Sequence, residues 1–145
     1  FLIFKTTSSF CFLSAIWDKV YTDLGKKDNE NIILLLTELR DNIKGLCLKD
    51  SMKDSIDKQF DIDIIKQIID HDKMEIKDFD MFFGNLAKTV RSLQSPVNDK
   101  DLDKAINVIK TQINKDWKEA FVSSMKVLSE AVSQIYVDLL NLTKN

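Results

Sequence analysis

The stretch Asp70-His71-Asp72-Lys73-Met74-Glu75 is where the residue types could do chemistry at close quarters. Asp70 and Asp72 stand at the first and third ligand positions of a calcium loop, and His71, the single histidine, could serve as a base between two carboxylates. The surrounding residues deny both schemes. The sixth position of a calcium loop needs glycine for its sharp turn and the twelfth a bidentate acid, but these are Glu75 and Met81. A triad needs a held nucleophile and an oxyanion hole, and with three glycines in 145 residues there is no glycine-rich or G-x-S-x-G turn to build one. The segment therefore reads as a solvated loop that caps the next helix, with His71 exposed. The sequence leads us to expect no catalytic residue, no metal site and no cofactor.

Other reactive types are equally unpromising. Cys11 lies between Phe10 and Phe12, and Cys47 between Leu46 and Leu48, with no C-x-x-C pair and no histidine close enough to complete a zinc set. Both read as buried free thiols, which points to a reducing compartment and a cytoplasmic location. The acidic pairs Asp54/Asp57, Asp61/Asp63 and Asp78/Asp80 alternate with lysines, as on solvated faces. From Lys49 to Asp80 there are ten acidic and six basic side chains, a weakly acidic stretch suited to choosing a basic partner.

Composition bounds the rest. With 44% hydrophobic and 30% charged residues, 21 basic against 23 acidic, and a formal charge of −2, the chain has enough apolar material for one core. A near-neutral balance gives no long-range field to steer it onto nucleic acid or anionic lipid. The opening FLIFKTTSSFCFLSAI is apolar, but Lys5 and the TTSS run split it before it reaches the length of a membrane span. Residues 1–15 are expected to form a poorly ordered apolar lead, with the domain over 16–145. Because the first residue is Phe1, the chain is expected to be a fragment or a processed product.

Apolar residues recur at spacings of three and four throughout, so the expected fold is all-α: a bundle of six or seven antiparallel helices in one domain. The first stripe is Phe10, Leu13, Trp17, Val20, Tyr21 and Leu24, closed by Gly25. A second helix runs from about Asn29 to Leu46, capped by Asp28 or Asn29, and a short one buries Met52, Ile56 and Phe60. The β-branched run Ile62, Ile64, Ile65, Ile68, Ile69 is assigned to helix, since a lone strand would have no partner for its edge. A long helix carries Ile76, Phe79, Phe82, Phe83, Leu86, Val90 and Leu93 and stops at Pro96, the only proline. Asn98 is a candidate cap for the next helix. From Asn98 to Leu142 one continuous rod would reach roughly 65 Å at 1.5 Å per residue, so a break near Asn114 is expected.

Read in order, several segments resemble the T-complex protein 11 family. They are Ile16-Trp17-Asp18, the Leu34-Leu-Leu-Thr-Glu-Leu-Arg40 helix, and Ile56-Asp-Lys-Gln-Phe-Asp-Ile-Asp-Ile-Ile-Lys-Gln67. His71 and the box Leu93-Gln-Ser-Pro-Val-Asn-Asp-Lys100 complete the set. The box keeps the family's Pro96, Val97 and Asp99 and departs from it at Gln94, Ser95, Asn98 and Lys100. This resemblance implies a helical, non-enzymatic adaptor or regulatory domain that works with a protein partner in cyclic-AMP and protein-kinase-A-linked signalling. It also allows a structural role in a cytoskeletal or sperm-tail assembly, while an enzyme built on Asp70, His71 and Asp72 is a reading the resemblance does not favour. Pro96, Val97 and Asp99 are the expected protein-binding residues.

Overall fold

Apolar spacing at three and four becomes helix over most of residues 10–143, which the computed structural model describes, with side chains described from residue 15. The elements are α1 (Phe10–Gly25), α2 (Glu30–Leu46), α3 (Asp50–Gln59), α4 (Ile62–His71), α5 (Ile76–Phe79), a π turn (Asp80–Gly84) and α6 (Asn85–Leu93). A 3₁₀ turn (Pro96–Asn98), α7 (Asp99–Gln112) and α8 (Trp117–Thr143) complete the order. No strand occurs among the described residues, and the domain is all-α. Among these helices none is long and apolar enough to cross a membrane. Most of the 1–15 lead, and the burial of Cys11, fall outside what is described. α1 is already helical from Phe10.

The isoleucine run is helical because its apolar residues fall on one side. Ile65, Ile68 and Ile69 are buried, while the Asp61 carboxylate accepts from the N–H groups of Asp63 at 2.9 Å and Ile64 at 3.4 Å. Those two bonds satisfy donors that every helix start leaves free. The expected break near Asn114 is a turn over 113–116, after which Asp116 opens α8 by accepting from the Glu119 N–H at 3.2 Å. The same carboxylate takes the Tyr21 hydroxyl at 2.8 Å, so one acid both starts α8 and pins α1 to it.

The core is organised around α8, which packs against α1, α2, α6 and α7. Phe121, Met125, Leu128, Val132 and Ile135 repeat at four and three, and Ala120, Val122, Ser124 and Ser129 are buried as well. A helix buried over so broad an arc is surrounded by its neighbours and covers none of them as a lid. Phe121 makes an edge-on contact with Phe83 at 5.2 Å between ring centres and another with Trp117 at 6.4 Å, and Phe83 in turn meets Phe79 at 5.9 Å. Phe79 lies in α5 and Phe83 in the π turn, one continuous rod with α6. The wider turn lets Phe82 and Phe83 both sit inward, at 2% and 1% exposure.

Four expectations need correction. Ile76 is exposed: it stands in the first turn of the rod, ahead of the inward face that begins at Phe79. Leu142 is exposed too, in the last turn of α8, where burial stops at Ile135. Tyr21 sits at the rim, held by its hydroxyl. Gly25 does not take the left-handed conformation that ends α1. Lys27 does, with φ of 57°, and the Asp28 N–H closes the turn on the Asp23 carbonyl at 2.9 Å. A Cβ on Gly25 would meet nothing within 4 Å.

Two substitutions test this packing in urea titrations. Phe121→Ala, at the junction of the ring contacts, should lower stability by about 3–5 kcal/mol. Gly25→Ala should raise it by about 0.5 kcal/mol, because its flexibility serves no turn and only adds unfolded-state entropy.

Candidate docking site at the Pro96 corner

Proline has no N–H to donate and disfavours a helical residue before it, so α6 ends at Leu93 and the chain runs extended through Gln94 (φ −85°, ψ 166°) and Ser95 (φ −61°, ψ 133°). Pro96 then takes the first position of the 3₁₀ turn, where a missing N–H costs nothing, and the Asn98 N–H returns to the Ser95 carbonyl at 3.0 Å. Asn98 does not cap α7 with its side chain. A capping residue stands outside the helical region, and Asn98 (φ −90°, ψ −5°) is already in it, because the 3₁₀ turn runs straight into α7. Asp99 and Asp101 place their charges in the first turn instead, where the helix dipole favours them.

A chain of polar contacts fastens the corner from inside. Gln94 is buried, and its Nε2 donates to Asp99 Oδ1 at 2.9 Å. Arg91, in the last turn of α6, approaches Asp99 Oδ2 at 3.5 Å and grips Asp103 with two bonds, Nε to Oδ1 at 3.0 Å and Nη2 to Oδ2 at 3.1 Å. The bond from Arg91 holds the Asp103 carboxyl below its ordinary value, and Asp103 first, then Asp99, raises the guanidinium. One arginine thus joins two carboxylates a helical turn apart on α7.

The three residues singled out in the sequence therefore separate. Pro96 and Val97 face solvent, Val97 at 81% exposure, whereas Asp99 is turned into the fastening and is not a free contact group. Arg91, Gln94 and Asp103 are not among the residues the sequence points to. Their partners lie 5 to 12 residues away across a bend, and spacing on either helix gives no hint of them. Beside the corner a groove of about 240 Å³ opens between α7 and α8, lined by Gln94, Asn98 and Leu102 on one side and Val127 and Ala131 on the other.

The Asp70-His71-Asp72 segment is a joint. His71 is the last residue of α4 and exposed, while Asp72 takes the left-handed conformation (φ 53°, ψ 40°) that ends the helix. The Asp72 carboxylate accepts the Trp117 indole N–H at 3.2 Å and pairs with Lys118 at 3.5 Å, tying α4 to the start of α8. Asp70, His71, Asp72 and Lys73 are all exposed, as expected of a solvated loop, and Asp72 serves in addition as a structural acceptor. At the start of α5 the Asp78 carboxylate accepts the Glu75 N–H at 3.0 Å. Among the described residues no cluster of histidine, cysteine, aspartate and glutamate could hold a metal ion. Cys47 is a buried thiol, raised by burial, that donates to the Ile43 carbonyl at 3.4 Å.

A second cleft, of about 540 Å³, lies between the α5–α6 rod and α7. It is crossed near one end by Lys110 and Asp80 at 3.1 Å and near the other by Arg91 and Asp103. The acid stands on the rod in the first pair and on α7 in the second, so the charges offset each other across the gap.

The family profile of T-complex protein 11 matches residues 12–143, almost all of the chain and every element described above. The chain belongs to the T-complex protein 11 family. No curated protein and no solved structure matches it. In this T-complex protein 11 domain, Pro96 makes the bend and Asp99 is the inner anchor. Gln94 is the side chain that Asp99 holds.

Two measurements separate scaffold from chemistry here. His71→Ala should leave the urea midpoint within about 0.5 kcal/mol of the parent. Asp72→Ala should cost about 1 kcal/mol, by forcing a Cβ-bearing residue without a local polar group into the left-handed region. In the fastening, Asp103→Asn removes a carboxylate whose folded pKa lies below its unfolded value of about 3.9. Its contribution is complete above that value and is lost as pH falls through the folded one. The gap between parent and variant midpoints should therefore be constant near neutrality and close under acid.

Proposed function

We propose that this domain is a non-enzymatic adaptor, acting in the cytoplasm on cyclic-AMP and protein-kinase-A-linked signalling through the Pro96–Val97 corner. The observation that carries the reading is Val97, an apolar side chain 81% exposed at the tip of a bend that buried and charged groups hold from behind. An exposed apolar tip costs little to keep and, on a fixed backbone, offers contact area without an ordering penalty on binding. The groove beside it, with Val127 and Ala131 on α8, supplies a second apolar strip against which a short partner segment can lie. The near-balanced surface charge leaves affinity to apolar burial, with charge choosing among partners.

Removing the last two helices is not a usable test of this reading, because α8 carries the core. A point change at the tip is. Purified regulatory and catalytic subunits of protein kinase A would be titrated against the whole chain by calorimetry at physiological salt. We expect one of them to bind, and Val97→Glu to weaken that binding by about tenfold or more while leaving the melting midpoint unchanged. No binding to either subunit would remove the kinase link, and equal binding by the variant would remove the corner. Co-sedimentation with filaments in place of kinase binding would favour the assembly role instead.

A further inference from the structure

The extended pair before Pro96 has a second property, carried by Ser95. The chain has one proline, so Ser95-Pro96 is its only position where a hydroxyl residue precedes proline. Ser95 is exposed, its backbone is extended at φ −61°, ψ 133°, the residue before it is extended as well, and its hydroxyl makes no capping bond. Pro96 is exposed behind it. We propose that Ser95 is a phosphorylation site for a proline-directed protein kinase.

Such an enzyme must hold its substrate extended at the acceptor and admit a residue after it that needs no partner for an N–H. Proline meets the second requirement by having none, and the bend before α7 already meets the first. In the transfer, Ser95 Oγ attacks the γ-phosphorus of magnesium-bound ATP and an O–P bond forms. The bond from that phosphorus to the β,γ-bridging oxygen breaks, ADP leaves, and the hydroxyl proton passes to the kinase's catalytic base. The product carries a charge of about −1.5 to −2 at neutral pH, next to Pro96 and Val97 in the chain and four residues in sequence from both Arg91 and Asp99. That charge would turn an apolar tip into an acidic one. Its use as a switch on partner binding rests on the function proposed above; the modification does not.

The test uses the whole folded chain with magnesium ATP and a purified cyclin-dependent-class kinase, then peptide mapping. A synthetic peptide of residues 90–101 serves as the unfolded reference. One phosphate on Ser95 is expected in the folded chain. Ser95→Ala should take up none, and Pro96→Ala should react about tenfold or more slowly, since the enzyme's pocket for the next residue is left unfilled. Phosphate on the peptide but not on the folded chain would overturn the proposal by showing that the corner withholds its serine. Phosphate confined to another hydroxyl, or none on either substrate, would overturn it as well.

Discussion

The structure depends on the burial of α8 from several sides at once. Other helices in the domain have an outer face; over Ala120 to Ile135, α8 has very little of one. Water driven from that surface, at about 25 cal/mol per Å² of apolar area, is the main force holding α1, α2, α6 and α7 in place. Phe121 is the point of closest mutual dependence, since its ring meets Phe83 from the π turn and Trp117 from its own first turn. Trp117 extends the dependence outward through Asp72 to α4. A chain of aromatic contacts thus leads from the π turn to the joint whose residue types had suggested catalysis.

What the core leaves free explains where function can sit. Several polar contacts run between helices: Tyr21 on Asp116, Lys44 on Asp57 at 2.8 Å, Lys110 on Asp80, Trp117 on Asp72. Most of these are exposed pairs worth little individually. Their value is positional, because each sets how one helix end meets another. An apolar tip on a held bend is a different kind of feature, one suited to contact.

Much of this is legible in the chain, because local chemistry decides it. Helix everywhere, the capped isoleucine run, the break before Asp116 and the stop at Pro96 all follow from apolar spacing, carboxylate caps and the missing proline N–H. The misreadings share a different cause. Lys27 takes the left-handed position that composition assigns to Gly25, because the return bond from Asp28 to Asp23 places the turn two residues later. Asp72 gains its role from Trp117, 45 residues on, and Asp99 is drawn inward by a glutamine and an arginine from the previous helix and its end. Pattern within an element says which face is oily; it cannot say which distant group will claim a particular carboxylate.

Those distant claims decide how the corner would work. A bend held only by Pro96 would be stiff at one bond and loose around it, since proline fixes its own φ and little else. The contacts of Gln94 with Asp99, and of Arg91 with both Asp99 and Asp103, add constraints on the far side of the bend and tie the end of α6 to the first two turns of α7. Val97 then sits on a backbone whose position is set from both flanks, and a partner need not order it on binding. Its anchors are two carboxylates sharing one guanidinium, so the rigidity of this corner has one origin, the shared arginine behind it.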